Sequence, residues 1–223
     1  MLSYADKSRS CLGPTRSRSS YKIFVNAENP GSRTEGPEGK FDIVEFSTGT
    51  YIADLPFKTL GYTAIPIFVK RMFRHSYIYV NKRAGITSPK NLNNKRIGIS
   101  GHFASAALWD RGILEEEWGV DIKSITWVAG QDSRIGNWKP PAWLKLEIAP
   151  KGTNQKELLA SGAVAAALNV QPWAPGVHPD IDFLFPNYAE LERDYFSSRA
   201  RGRTTLCIRS SSIFVPKDCV FYA

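Results

Sequence analysis

The sequence predicts an α/β fold with a largely parallel sheet, and two observations lead to this prediction. From residue 88 onward, short apolar runs typical of strands alternate with segments of helical periodicity, and strands joined through helices pair in parallel. The chain also has 223 residues and 43% hydrophobic content. A chain of that size can bury a core in one large domain or in two small lobes.

The first part of the chain is predicted to contain short strands. Residues 1–20 are rich in Ser and Arg and are predicted to form a disordered tail, and residues 28–40 form a loop rich in Pro, Gly and charge. A small polar run, Ser47–Thr50, follows the second strand. The runs that predict strands are 21–26, 41–46, 63–69 and 77–80.

The second part is predicted to alternate between strands and helices. Ser88 with Pro89 marks a helix start, and Gly119 ends an amphipathic helix. On that helix Leu114 belongs to the apolar face, whereas Asp110 is predicted to be mostly solvated. The predicted strands are one that ends at residue 99, 124–128, 144–148 and 164–169, and the predicted helices are 104–118, 154–161 and 188–197.

A basic cluster precedes the strand at 77–80. Arg71, Arg74 and His75 lie within five residues of one another. Arginine presents a planar fork that matches a carboxylate with two parallel hydrogen bonds, and histidine can act as acid or base near neutral pH. The cluster is therefore suited to bind a carboxylate and deliver a proton, although a solvated basic strand edge would show the same pattern.

The loop before the amphipathic helix is a second candidate site. A strand, a glycine loop and a helix start bring free backbone N–H groups and the positive end of a helix dipole together. Ser100, His102 and Ser105 can add side chains to such an anion site. Most strand-to-helix turns contain a glycine, so an idle, exposed His102 is the alternative.

The formal net charge of +8 does not predict a nucleic-acid partner. The basic excess lies near the two ends and in short patches, and no zinc finger, basic zipper or aromatic RNA-binding signature accompanies it. We interpret the charge as two basic segments together with a site for an anionic small molecule.

The sequence also predicts no metal site, no membrane span and no secretion signal. Cys11, Cys207 and Cys219 form no CxxC pair, so no metal site is predicted. The start has no apolar signal core and no run reaches transmembrane length. We therefore expect a cytoplasmic protein without a membrane partner.

From about Phe41 to Phe196 the order of motifs resembles the 4,5-dihydroxyphthalate decarboxylase family. The Arg-x-Phe-Arg-His-Ser run of that family stands here at Arg71–Ser76, and the Lys-Arg-Ile-Gly element stands at Lys95–Gly98. The other matching stretches are Phe41–Ser47 with Tyr51, Ala64–Phe68, Ile78–Asn81, Gly85 with Ile86, Ser88 with Pro89, Ala106 with Ala107, Trp109, Arg111 with Gly112, Leu114 and Glu117–Val120.

The resemblance implies the two-lobed fold of type 2 periplasmic binding proteins, with an incomplete first lobe. The first lobe is expected at 21–85 and 186–223, and the second at 86–185. A loop at 31–39 stands where the family has a helix, and Ala163 and Ala165 stand where members often carry an acidic pair. The Arg-rich segment from Arg199 stands where the family continues into a hydrophobic strand, so no strand is expected there.

The leading hypothesis from this resemblance is non-oxidative decarboxylation of a hydroxylated aromatic carboxylate similar to 4,5-dihydroxyphthalate. Arg71 and Arg74 would clamp a carboxylate, and His75 would donate the proton or orient its donor. Nothing in the pattern requires a metal or an organic cofactor, and the oligomeric state is left open. The residues expected to bind the substrate are Ser47, Thr48, Thr50, Ser76, Ser100, His102 and Ser105.

Two alternatives remain at this point. The same cleft between lobes could bind an anionic aromatic or another small molecule without chemistry, because a fold alone does not decide function. A basic nucleic-acid-binding protein is the second alternative, and no recognition element supports it.

Overall fold

The strands form two sheets, and helices pack against them. The computed structural model describes residues 44–65, 70–130, 135, 137–150, 152–168, 178–200 and 209–216. The strands are β1 (Val44–Ser47), β2 (Tyr62–Ala64), β3 (Lys70–Arg71), β4 (Ile78–Asn81), β5 (Arg96–Ile99), β6 (Thr126–Ala129), β7 (Lys145–Ile148), β8 (Ala166–Leu168), β9 (Ile181–Phe183) and β10 (Arg209–Pro216). The helices are α1 (Thr48–Asp54), α2 (Ser105–Glu116), α3 (Gln155–Ser161) and α4 (Tyr188–Ala200), and 3₁₀ turns occupy His75–Tyr77, Lys82–Ala84 and Pro89–Leu92. This arrangement confirms the predicted α/β class.

The first sheet is antiparallel and is built around β10. This strand pairs with β1, β2 and β3. The expectation that no strand follows the Arg-rich segment is therefore wrong. The run Ile213–Val215 consists of β-branched and aromatic residues that favour strands, and the sheet gives it partners on both sides.

The second sheet has six strands in the order β7-β6-β5-β8-β4-β9. The first four are parallel, which confirms the largely parallel sheet, whereas β4 runs antiparallel to β8 and β9. The lobe boundary at 85 remains a prediction. The strand β4 precedes that boundary and nevertheless pairs within the second sheet.

Helix α2 covers one face of this sheet. Ala107 and Leu114 on α2 are fully buried and pack against Ile97, Ile99 and Trp127 of the sheet. The opposite face is covered by α3 through Leu159, which packs in a second apolar cluster. The chain leaves α2 through Gly119, whose φ of 63° lies in the left-handed region that glycine adopts without strain.

The remaining predicted helices and strands agree only in part with the structure. The helices predicted at 104–118, 154–161 and 188–197 are present, but no helix was expected at α1. The strand predicted at 63–69 overlaps β2 at its start, and 66–69 lie outside the described residues; β3 follows the predicted range. The strand at 21–26, the tail at 1–20 and the three cysteines also lie outside them. None of the described helices has the length and apolar character needed to cross a membrane.

Candidate active site

The first turns of α1 and α2 meet in a group of hydrogen bonds that we name the serine cluster, comprising Ser47, Gly49, Thr50, Phe103 and Ser105. The hydroxyl oxygens of Ser47 and Ser105 are 2.9 Å apart. The Gly49 N–H donates to Ser105 Oγ at 2.8 Å, and the Ser105 N–H donates to Ser47 Oγ at 3.2 Å. The Thr50 hydroxyl donates to the Phe103 carbonyl at 3.3 Å. These bonds join the first sheet to the helix that covers the second.

Gly49 permits this approach. A Cβ added to Gly49 would lie 2.6 Å from Leu108 Cδ1 and 2.7 Å from the Phe103 carbonyl oxygen. The carbonyl belongs to the backbone and cannot simply rotate away. Ser47 caps α1 by accepting from the Thr50 N–H, so the Ser-Thr-Gly-Thr run starts a helix that α2 supports from the side.

His102 lies beside the serine cluster and is held by α2. Arg111 donates from Nη1 to His102 Nδ1 at 2.9 Å and from Nη2 to the His102 carbonyl at 2.8 Å. The imidazole stacks on Trp138, with ring centroids 5.4 Å apart and 20° between the planes. Burial, reinforced by the positive charge of Arg111, lowers the pKa of His102 to about 4. His102 is therefore neutral near pH 7.

A buried charge group lies further along α2. Asp110 is completely buried, and Arg74 and Arg111 are 3% and 6% exposed. Burial raises the pKa of Asp110 well above its usual range, and the two guanidinium groups oppose that rise. Burial also lowers the pKa of Arg111 to about 10, an effect that Asp110 opposes. Even with Asp110 ionised, two cations face one anion, so the group has a positive balance.

His75 occupies a different environment. It is 2% exposed, and its ring makes edge contacts with Phe185 and Tyr195 at 5.5 Å. Its Nε2 lies 3.8 Å from Glu117 Oε2. Burial lowers the pKa of His75, and the nearby Glu192 carboxylate opposes the decrease. An open cavity of about 350 Å³ adjoins the ring, and its lining residues include the acidic Glu117 and Asp194.

Comparison with known proteins identifies the family. No protein-family model matches the chain. The chain is 35% identical over 168 residues to a 4,5-dihydroxyphthalate decarboxylase from Comamonas testosteroni, a match that covers 71% of this chain and 50% of that protein. It is 32% identical over 176 residues to a 4,5-dihydroxyphthalate decarboxylase from Pseudomonas putida, covering 75% of this chain and 67% of that protein. The chain belongs to the 4,5-dihydroxyphthalate decarboxylase family.

The family predicted from the motifs is thus confirmed, and the chain spans half the length of its Comamonas relative. Among solved structures, the alkanesulfonate-binding protein SsuA from Xanthomonas axonopodis pv. citri, bound to MOPS, aligns with a TM-score of 0.44 and 13% identity. That alignment covers 82% of this chain and 50% of SsuA.

Measured against the site expected from the decarboxylase motifs, the structure brings together only some of the residues. Ser47, Thr50 and Ser105 meet in the serine cluster, with His102 next to it. Thr48 is the first residue of α1 and Ser100 directly follows β5. Arg74 lies near Asp110, in the middle of α2. Arg71 lies in β3, and its side chain is outside the described part of the structure.

His75 and Ser76 lie at the other end of α2. His75 approaches Glu117, which is about 18 Å along the helix axis from Ser105 at 1.5 Å per residue. The Ser76 N–H and hydroxyl both donate to Glu192 Oε1, at 3.1 and 3.0 Å. The structure therefore does not bring these two residues to the serine cluster.

Asp110 and Arg111 are site residues that the sequence reasoning missed. Asp110 was predicted to be mostly solvated, and the structure shows that this is wrong. Helical spacing contains the signal, because residues three and four positions away share a face. Those neighbours of Asp110 are all buried: Ala106, Ala107, Ile113 and Leu114. In the described part of the chain, no three His, Cys, Asp or Glu side chains group in a way that could bind a metal ion.

Proposed function

We propose that this chain carries out the non-oxidative decarboxylation of a hydroxylated aromatic carboxylate similar to 4,5-dihydroxyphthalate. The observation that carries the proposal is its identity of 35% and 32% to two proteins named 4,5-dihydroxyphthalate decarboxylase. The chain spans only half the length of the first of these proteins. The proposal therefore also has to be argued from the residues of this chain.

We propose that the substrate binds beside the serine cluster. The first turn of α2 presents backbone N–H groups at the positive end of a 12-residue helix. The contact between Ser47 and Ser105 uses one of their two hydroxyl protons and leaves the other to donate to a carboxylate or a ring hydroxyl. The Thr50 hydroxyl donates to the Phe103 carbonyl, and its oxygen can accept from a ring hydroxyl. His102 adds a neutral aromatic ring.

The buried charge group favours an anionic substrate at this position. Arg111 lies on α2, and Arg74 lies near Asp110 on the same helix. The single carboxyl of Asp110 opposes only part of the positive charge of the two arginines. At a given distance, charge interactions are stronger in a protein interior, where the effective dielectric constant is low, than in water. A dicarboxylate should therefore bind more tightly than a neutral catechol of the same shape.

The chemistry requires one proton and no redox partner. The bond between the ring carbon and the carboxylate carbon breaks, carbon dioxide leaves, and the electron pair stays on the ring carbon, which takes up a proton. His75 is the donor suggested by the motifs. The carboxylates of Glu117 and Asp194 at its cavity would repel a dicarboxylate, so we propose that His75 does not contact the substrate there.

A specific observation supports a second function, the binding of an anionic aromatic molecule without chemistry. The histidine of the motif lies at the opposite end of α2 from the serine cluster, as the Glu117 contact shows. If no other residue supplies the proton, the residues around the serine cluster would bind the ligand without catalysing a reaction.

One experiment separates the two functions. Purified protein is mixed with carboxyl-labelled 4,5-dihydroxyphthalate, and both bound ligand and released carbon dioxide are measured, with catechol as the uncharged control. Release of carbon dioxide supports the decarboxylase, and binding without release supports the binding protein. Equal affinity for catechol and 4,5-dihydroxyphthalate would contradict the proposed preference for an anionic ligand.

An arginine variant tests the proposed charge preference. Replacing Arg74 with Ala should weaken 4,5-dihydroxyphthalate binding, because it removes one positive charge from the buried group, and leave catechol binding unchanged. Arg83→Ala removes an exposed arginine near β4 and serves as the control. An equal effect of the two variants would contradict a role for Arg74.

A further inference from the structure

The contact between Arg111 and His102 determines where the imidazole proton lies. A guanidinium group has only donors, and it keeps its proton in proteins. When Arg111 Nη1 approaches His102 Nδ1 to 2.9 Å, Nδ1 must be the acceptor and cannot carry a proton. The remaining proton of a neutral imidazole is then on Nε2.

The rest of the His102 environment keeps the ring in this orientation. Arg111 Nη2 also donates to the His102 carbonyl at 2.8 Å, so one side chain grips both the backbone and the ring of the same residue. Trp138 stacks on one side, and Phe103 makes an edge contact at 4.9 Å between centroids. Such packing and double hydrogen bonding pre-organise a side chain before a ligand arrives.

Arg111 is itself fixed in place. It is 6% exposed, and its guanidinium carbon lies 5.5 Å from the centre of the Trp127 ring. The adjacent Asp110 carboxyl attracts it. Within the described residues, Arg111 is the charged side chain that directly contacts His102. Asp110 interacts with both Arg111 and Arg74.

We propose that Arg111 is a positioning residue that holds His102 as a neutral imidazole with its proton on Nε2, so that His102 donates a hydrogen bond to an oxygen of the bound ligand. His102 Nε2 makes no hydrogen bond within the described residues, and its ring is half-buried. The next residue, Phe103, accepts from Thr50 in the serine cluster. The proposal rests on the proposed function for the position and nature of the ligand.

This arrangement selects ligands by their chemistry. A fixed N–H can pair with a carboxylate or hydroxyl oxygen and cannot accept from an ammonium group. It also separates His102 from proton transfer, because a neutral imidazole that stays neutral to low pH is a poor proton donor near pH 7. His102 therefore contributes to substrate specificity and does not supply the proton to the ring carbon.

The first test reads the tautomer without a ligand. The protein contains three histidines, and long-range proton–nitrogen spectra of ¹⁵N-histidine-labelled protein at pH 7, assigned with His102→Gln, show which nitrogen of His102 carries the proton. We expect a protonated Nε2 and an unprotonated Nδ1. A protonated Nδ1 would overturn the proposal.

Arg111 variants then test the cause. Arg111→Met retains an unbranched stem over Trp127 and removes the charge and the donors, so His102 should populate both tautomers and titrate at a higher pH. Arg111→Lys restores one donor and should return the Nε2 tautomer. A wild-type tautomer and titration in Arg111→Met would overturn the role of Arg111. If Arg111→Met does not fold, an Arg111→Lys spectrum with the proton on Nδ1 would overturn it equally.

A matched pair of His102 variants tests the donor role. A glutamine amide reaches about as far as Nε2, whereas an asparagine amide reaches about as far as Nδ1. With 4,5-dihydroxyphthalate as the probe, we expect His102→Gln to keep most of the affinity and His102→Asn to lose on the order of tenfold. Equal affinities would overturn the donor role. Failure of the proposed function is distinguishable, because the wild type would then neither bind this probe nor release carbon dioxide, while the tautomer remains measurable.

Discussion

Ser47 Oγ lies 2.9 Å from Ser105 Oγ, and this contact joins two parts of the chain that are 58 residues apart. Each hydroxyl also accepts a backbone N–H at the start of the other helix: Ser105 accepts from Gly49, and Ser47 accepts from Ser105 itself. The two helix starts thus satisfy one another in part, since the first N–H groups of a helix have no partner within it.

Replacing Ser105 with Ala should destabilise the protein measurably. The change leaves the buried N–H of Gly49 without its acceptor, and an unsatisfied buried donor costs about 1–3 kcal/mol. Ser198→Ala is the control, because Ser198 is exposed on α4 and donates only to the carbonyl one turn earlier. Urea denaturation of the two variants measures the free energy of unfolding, and equal losses would show that the serine cluster contributes nothing special.

Replacing Gly49 with Ala should separate α1 from α2. The added Cβ would lie 2.7 Å from the Phe103 carbonyl oxygen, so the backbone must shift and the hydrogen bonds of the serine cluster must lengthen. Gly112→Ala is the matched control, because a Cβ at Gly112 meets nothing within 4 Å. In the middle of α2 that change should stabilise by about 0.5–1 kcal/mol.

Amide hydrogen exchange on both glycine variants gives the measurement. Protection of the backbone amides at positions 49 and 105 should fall in Gly49→Ala and persist in Gly112→Ala. Unchanged protection in Gly49→Ala would mean that α1 and α2 accommodate the methyl group, and the close approach would then not require glycine.

Sequence patterns predicted the parts of this fold that local residues determine. The unit β5-α2-β6 follows from alternating apolar runs and from an amphipathic helix ended by Gly119. Helix α1 and strand β10 did not follow, because α1 is seven residues long and depends on contacts with α2, and β10 depends on partners far away in sequence.

The residues of the candidate site likewise include some that the sequence predicted and some that it did not. Ser105 and His102 were predicted because a strand, a glycine loop and a helix start are visible in the sequence. The relation between Arg74 and Asp110 was not predictable, because it depends on how the turn before β4 lies against α2. Proximity in sequence does not give the surroundings of His75, which follows Arg74 directly and lies beside Glu117 and Asp194 at the end of α2.

The stability of the protein should decrease between pH 6.5 and about 4, in part through His102. The pKa of His102 is lowered to about 4 in the folded state from an ordinary 6.5. In this window the unfolded chain binds a proton that the folded protein does not, so falling pH favours unfolding. One such group contributes at most about 1.4 kcal/mol per pH unit, and the half-buried ring should contribute less.

Urea denaturation from pH 7 to pH 4 checks this contribution against His102→Gln, which cannot titrate. The wild type should lose more stability than the variant across the window. His75, whose pKa is also lowered by burial, adds a decrease of the same sign in both proteins and cancels in the comparison. Parallel curves for the two proteins would show that His102 is not held neutral.

Asp110→Asn should gain stability relative to the wild type as the pH rises above about 4. Burial raises the pKa of Asp110 in the folded state above its ordinary 3.8, so the unfolded chain loses this proton first and rising pH favours unfolding. Asparagine has no proton to lose, and the difference in unfolding free energy should widen until Asp110 ionises in the folded protein. A difference that is constant from pH 4 to pH 8 would mean that Asp110 is ionised throughout.

His75→Gln distinguishes a structural histidine from a proton donor. The ring is 2% exposed and packs between Phe185 and Tyr195, and its Nε2 faces Glu117. We expect the variant to lose stability, because a glutamine cannot replace these ring contacts. We expect turnover per folded molecule to be unchanged, because a dicarboxylate would be repelled from the acidic cavity beside this ring. The measurement is carbon dioxide release from 4,5-dihydroxyphthalate, scaled by the folded fraction from circular dichroism, with Phe185→Leu as a packing control. A decrease in turnover of about 10²–10⁴-fold at unchanged stability is the range expected for loss of a general acid. That result would place the proton donor at His75, and the substrate would then have to reach the far end of α2.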